Sequence, residues 1–301
     1  MKAYCILVLL LLSQAAPAQQ PFVQILGIAQ DGGYPHMGCT KNCCTRAWEA
    51  ASARRFVVSL AIADPLTKKW WLMEATPDIK EQLQYFKTLT HGNYPYLPEG
   101  IFITHAHIGH YTGLMEFGRE VMSTKQLPVY VLPGMKTFLE TNGPWSQLVQ
   151  LKNIVIHPLT KDSVTSLNER IQIEPFTVPH RDEYSETAGF KLMAGKRKFL
   201  FIPDINKWKN NIVEQVEQVD YALLDATFFD ATELPGRNIQ EVPHPLVTET
   251  MGLFQNTGVR VKAKLVFIHF NHTNPLLWDE SIKTTVNKAG FHIAEQGQVL
   301  Q

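Results

Sequence analysis

Short apolar runs recur along the chain, and most of them stop at a polar or charged residue. Phe22 to Ile28, Phe56 to Ala63, Trp70 to Glu74, Ile101 to Ile103, Val129 to Leu132, Ile171 to Val178, Lys198 to Ile202, Tyr221 to Leu224 and Leu265 to Ile268 read as strands. Between them the pattern predicts helices: a short one through Trp48, one opened by Thr76 as N-cap with Pro77 at the first helical position, then Leu114 to Met122, Met135 to Thr141 and Pro144 to Val149. Asp78 reads as a charge favouring a helix N-terminus. Strands alternating with helices make an α/β chain rather than an all-β one. Asp31-Gly32-Gly33-Tyr34-Pro35 is a turn-rich loop whose adjacent glycines let backbone pass close to a metal pocket or a thiol cluster.

The chemistry collects where the strands end. Ile101 to Ile103 leads into His105, His107 and His110, three histidines within six residues. His105 and His107 are two apart, so on extended backbone both side chains point the same way, while His110 approaches from the following turn. Neutral imidazole is the commonest metal ligand, and a converging set is a metal site. The other strands repeat the arrangement: one ends at Pro179-His180, one at Pro203-Asp204, one at Asp225-Ala226-Thr227 and one at His269-Phe270-Asn271-His272. A carboxylate just past a buried strand is costly unless paired or bound to a cation, which makes Asp204 a candidate. The alternative is that Asp204 caps a helix over 205–216.

The chain begins Met1-Lys2, continues apolar to Leu12 and reaches Ala16-Pro17-Ala18. That run is too short to span a bilayer and ends in a small-x-small cleavage pattern, so residues 1–18 read as a signal peptide and 19–301 as one domain. A retained anchor is the alternative. With the leader removed, no stretch is apolar enough for a membrane span, and the mature protein is expected to be secreted or periplasmic. The 28 basic and 28 acidic residues cancel, and no nucleic-acid patch stands out. Cys39, Cys43 and Cys44 remain, an odd number for a disulfide framework. They suit a structural zinc, or a Cys39–Cys43 or Cys39–Cys44 disulfide with one free thiol.

Thr104-His105-Ala106-His107-Ile108-Gly109-His110 resembles the His-x-His-x-Asp-His signature of the metallo-β-lactamase fold superfamily, with Gly109 where the family usually has Asp. Gln24 to Cys44, Thr76-Pro77-Asp78 and Asn271-His272-Thr273-Asn274-Pro275 are similar to the branch of pyrroloquinoline quinone biosynthesis B-like proteins and cyclic phosphodiesterases. Those relatives carry Cys-x-Cys-x-x-Cys; Lys41 stands at the middle position here. The resemblance implies a four-layer αββα sandwich with two mixed sheets. It implies a first metal on His105, His107 and His180, with Asp204 shared, and a second on His110, Asp204 and His269. Without a carboxylate at position 109 the second metal is expected to be weak, replaced by iron or manganese, or absent. It also implies a structural zinc on Cys39, Cys43, Cys44 and His272. Asp225-Ala226-Thr227 resembles the His-Glu-Ala-Thr motif of the tRNA 3′-processing branch, with His244 as the carboxylate's partner, so Asp204, Asp225 and His244 are the candidate catalytic residues. The implied cofactors are zinc, one structural and one or two catalytic, with iron or manganese as active-site alternatives. The expected activity is hydrolysis of a small-molecule or phosphodiester substrate by a metal-activated water. An iron-dependent oxygenase and a non-catalytic binding protein are the alternatives. Thr88 to Pro98 and Phe228 to Pro245, rich in Pro, Gly and aromatics, are expected to recognise substrate.

Overall fold

A computed structural model describes residues 19–209 and 211–301; the leader read at 1–18 lies outside them. The strands are β1 Phe22–Gly27, β2 Ser59–Asp64, β3 Lys69–Met73, β4 Ile101–Phe102, β5 Leu127–Val131, β6 Ile154–Pro158, β7 Thr165–Ser166, β8 Ile171–Val178, β9 Thr187–Ala194, β10 Arg197–Ile202, β11 Tyr221–Asp225, β12 Leu265–Ile268, β13 His292–Ile293 and β14 Val299–Leu300. They form two seven-stranded sheets, ordered β14-β1-β2-β3-β4-β5-β6 and β13-β12-β11-β10-β9-β8-β7. Both are mixed: β3 to β6 run parallel, as do β10 to β13, while β1 to β3 and β7 to β10 pair antiparallel.

The two-residue period of a strand separates two cores. In β2 and β3, Leu60, Ile62, Trp71 and Met73 join Phe190, Phe199, Leu223 and Phe267 of the other sheet in one buried cluster. Their neighbours Ala61, Ala63, Trp70 and Leu72 pack with Ile79, Leu83 and Phe86 of the helix Ile79–Leu89 in another. Strands buried on both faces need a sheet on one side and helices on the other, and that requirement is the layered sandwich. No helix among the described residues is long and apolar enough to cross a membrane.

Several local expectations change. Instead of a helix over 114–122, there is one turn, Ile108–Tyr111, and a 3-10 stretch, Thr112–Phe117. A Cβ at Gly113 would lie 2.1 Å from the Thr76 carbonyl, so the chain there hugs its neighbour too closely for a regular helix packed alongside. Thr76 does not cap; its hydroxyl accepts from the Asp78 N–H and donates to Gln82, and the helix begins at Ile79. Asp78 stands at the helix N-terminus as expected, and its carboxylate also accepts the Val57 N–H at 2.8 Å, tying two loops together. Among the described residues Asp204 caps no helix, and the next one starts at Ile212. Segment 88–98 lies at the opposite end of the sheet from the histidines: Trp70 Nε1 donates to Pro95 O, and Tyr94 packs on Phe22. Trp70 and Glu74 are four residues apart along β3 and beyond, roughly 13 Å of extended chain, so this loop does not reach the site.

Candidate metal centre

Six strands, three of them neighbours in the second sheet, hand one or two side chains each to the site. Glu74 follows β3, His105 and His107 follow β4, His180 follows β8, Asp204 follows β10, Asp225 ends β11 and His269 follows β12. His269 holds a left-handed backbone, φ 68°, which a non-glycine residue adopts at some cost and which turns its ring inward. All of these except His107 are buried.

Asp204 sits at the centre. Its Oδ2 is 3.0 Å from His110 Nε2 and 3.2 Å from His269 Nε2, and its Oδ1 is 3.5 Å from His180 Nε2. One oxygen faces each side, the arrangement of a carboxylate shared between two positions. The His105 and His107 rings lie 5.3 and 5.0 Å from that of His180. The structure therefore brings His105, His107, His110, His180, Asp204 and His269 into one cluster.

The outward nitrogens of His105, His107 and His269 have partners, which turns their other nitrogens inward. His107 Nε2 faces two acceptors, Arg181 O and Glu183 Oε2, each at 3.1 Å, so it carries the proton and Nδ1 presents a lone pair. His105 Nδ1 pairs with Thr104 Oγ1 at 2.9 Å, and its Nε2 lies 2.8 Å from His107 Nδ1. Thr227 Oγ1 donates to Asp225 Oδ1 at 2.7 Å and so accepts from His269 Nδ1 at 2.9 Å, leaving His269 Nε2 as the inward lone pair. Partners of this kind fix ring orientation and tautomer in metal-binding histidines.

Asp31 was not singled out by the sequence. Its Oδ1 lies 3.2 Å from His110 Nε2, and it groups with His110 and His269. Glu74, also missed, backs His110, with Oε1 3.4 Å from Nδ1. A lone Asp in a glycine-rich loop carries no local sign of a ligand; only proximity after folding shows it.

The cluster fits cations. Asp31 Oδ1, His110 Nε2, both ring nitrogens of His180, Asp204 Oδ2 and His269 Nε2 are buried without hydrogen-bond partners. Their mutual contacts lack hydrogen-bond alignment, so they converge on shared space. Buried polar groups are nearly always paired, and a set of lone pairs and carboxylate oxygens aimed at one volume is satisfied by divalent metal. The electrostatics of His105 and His180 agree. Burial pushes His105 well below the usual imidazole range and His180 down to about 4, so both are neutral, as ligands must be. Burial also opposes the charged forms of His110 and Asp204. It is outweighed by Glu74, Asp204 and Asp31 around His110, which is held well above its usual value, and by His269, His110 and His105 around Asp204, which is held well below.

Asp225 and His244 also meet. His244 Nδ1 is 2.9 Å from Asp225 Oδ2, and the Asp225 carboxylate further accepts the Ile205 and Thr227 N–H groups. Burial opposes charging of His244, but Asp225 wins and raises it. The His244 ring stands 5.3 Å from that of His180, and Lys207 ties its loop by donating to the His244 carbonyl at 3.2 Å and to Glu249 at 2.9 Å. Of the two loops expected to recognise substrate, 228–245 is thus the one at the site.

A second cluster lies outside this one. Cys39, Cys43 and Cys44 carry no disulfide and meet His272, with Cys44 Sγ 3.4 Å and Cys43 Sγ 3.8 Å from His272 Nδ1, and Cys39 Sγ 3.8 Å from Cys43 Sγ. Helix Asn42–Glu49 supplies Cys43 and Cys44 from its first turn. Four ligand atoms with none left open suit a structural zinc.

Known proteins share this architecture. The chain is 26% identical over 305 residues, 93% of its length and 98% of the relative's, to coenzyme PQQ synthesis protein B of Gluconobacter oxydans (strain 621H). The Zn2+-bound PqqB of Methylobacterium extorquens superposes with a TM-score of 0.76 at 20% identity, covering 93% of this chain and 99% of that one. A diphosphatase from the PhnP family superposes at 0.68 with 19% identity, covering 94% and 97%. The family described as the beta-lactamase superfamily domain matches residues 69–270. The chain belongs to that superfamily.

Proposed function

We propose that this protein is an exported metal-dependent hydrolase acting on phosphodiester-type substrates. The observation that carries the reading is the set of buried, unpartnered nitrogens and oxygens around Asp204, next to an imidazole held by its own carboxylate. Divalent cations held by His105, His107, His180, Asp204, His110 and His269 would acidify a water and neutralise charge on a phosphoryl group. The chain's own residues supply the rest. Asp225 fixes His244 through Nδ1, which leaves Nε2 to pass a proton to a departing alkoxide. Glu183 and Arg181 O hold the His107 ring, and Thr227 holds both His269 and Asp225. The cysteine cluster holds zinc for structure. Export rests on the leader-like residues 1–18, and the mature chain is expected to begin at Gln19, which its intact mass would show.

Purified protein loaded with zinc or manganese is expected to hydrolyse bis(p-nitrophenyl) phosphate, and His107→Ala to abolish turnover. The reading fails if metal-loaded protein turns over no diester, diphosphate or ester. A second reading, iron-dependent oxygenation, is favoured by likeness to PqqB over nearly the whole chain. Metal analysis separates them: redox-active iron as the resident cation, with oxygen consumption, supports oxygenation.

A further inference from the structure

We propose that Asp31 supplies the carboxylate that position 109 lacks, so that the second cation site is complete, built from Asp31, His110, Asp204 and His269. The inference rests on the metal-centre reading above and adds to it a ligand from a different part of the chain.

Asp31 has the marks of a ligand. One oxygen, Oδ2, accepts from Gln30 Nε2 at 2.9 Å. The other, Oδ1, is buried, has no hydrogen-bond partner and lies 3.2 Å from His110 Nε2. A carboxylate oxygen withdrawn from water and left unpaired is costly, and a cation is the partner that the neighbouring lone pairs of His269 and Asp204 would share with it.

Position 109 explains why both carboxylates cannot coexist. A Cβ built on Gly109 would fall 2.1 Å from Asp31 Oδ1 and 2.6 Å from Asp31 Cα. The space that any side chain at 109 would enter is therefore the space that Asp31 occupies. Gly109 is not simply a lost ligand; its bareness admits the replacement.

The loop carrying Asp31 is anchored for the purpose. Gln30 N donates to Phe270 O at 2.8 Å, and Phe270 N donates to Ile28 O at 2.8 Å, which ties the loop to the residue after His269. Gly33, at φ 67°, turns the chain away beyond it. The two ligands are thus positioned by one backbone junction, and a ligand on anchored backbone costs little further ordering when metal arrives.

The test reads metal occupancy, not turnover. Wild-type protein titrated with Co2+ is expected to bind three equivalents, the cysteine site being recognisable by its thiolate charge-transfer absorption. Asp31→Asn is expected to keep that band and one active-site equivalent and to weaken the other by more than the roughly 100-fold that loss of an outer partner costs. Gly109→Ala, with Asp31 intact but displaced, is expected to show the same selective loss. Circular dichroism and the retained cysteine band report that both variants are folded. Three equivalents with unchanged affinity in Asp31→Asn overturn the assignment of Asp31. Unchanged affinity in Gly109→Ala overturns its link to position 109. Neither result depends on hydrolysis, so failure here is distinguishable from failure of the hydrolase reading.

Discussion

His244 matters for which nitrogen is left free. Asp225 engages Nδ1 at 2.9 Å, so proton delivery falls to Nε2. The consequence depends on the leaving group. For a diester with an alkyl leaving group, His244→Ala is expected to lower kcat by about 10²–10⁴-fold, the usual worth of a positioned acid. For p-nitrophenolate, which leaves without protonation, the loss is expected to stay below about tenfold under the same principle. Equal losses on both substrates would make His244 structural. Asp225→Asn is expected to follow the same pattern, because an amide no longer favours the charged ring. His180 carries a stability prediction for the metal-free protein. Burial pushes it down to about 4 from 6.5, so between those values an unfolded chain binds a proton that the folded one refuses. Its contribution to stability is therefore present above pH 6.5 and lost as pH falls toward 4. Urea midpoints of apo His180→Asn against apo wild type are expected to converge across that window on acidification. A constant difference would remove the linkage.

Two short elements join the two clusters. The segment from Asp31 to Cys39 and the segment from His269 to His272 each place an active-centre residue at one end and a cysteine-cluster residue at the other. His36 stacks on His272 with ring centroids 4.5 Å apart, and Tyr34 donates its hydroxyl to Cys43 O at 2.5 Å. Zinc held by the cysteine cluster would thus brace the loop that carries Asp31. Burial pushes the Cys44 thiol up to about 12, so without a cation it keeps its proton, and zinc binding must release it. Calorimetry of zinc binding in buffers of different ionisation enthalpy is expected to show proton release, with affinity falling as pH falls. Cys44→Ser is expected to lose one zinc equivalent and lower Tm, each kcal/mol lost shifting Tm by roughly 2–4 °C in a chain of this size. An unchanged Tm with the metal gone would show that the cluster does not brace the fold.

Across the whole molecule, the site exists because two sheets face each other and their parallel strands end at one edge. The contact between sheets holds that edge together. Phe190 of β9 is buried and meets Phe102 of β4 edge-on at 6.0 Å, three residues before His105. Phe190→Ala is expected to cost about 3–5 kcal/mol in denaturant unfolding, the range for a buried aromatic cavity. It is also expected to weaken metal at the His105–His107 position, because β4 is only two residues long and leans on that ring. Full stability in the variant would mean the sheets close over the gap.

Much of this was legible in the chain before folding. Strand ends carrying His105, His107, His180, Asp204 and His269 are visible because apolar runs and chemically loaded residues are each local signals. The two-sheet sandwich followed from the resemblance those signals carried. β8 and β12 keep the predicted limits, since their apolar runs have sharp borders. The 114–122 stretch did not form its expected helix, because close packing of Gly113 on the Thr76 backbone overrides local propensity. Glu74 looked like a strand terminus, and Asp31 like a turn residue beside two glycines. Their part in the site arises from contacts between segments 36 and more residues apart, for which no local pattern exists. Local spacing determined which strand ends carry imidazoles and where the thiols lie; folding decided that a carboxylate from the first loop fills the room beside Gly109, because only tertiary packing sets how near two distant backbones come.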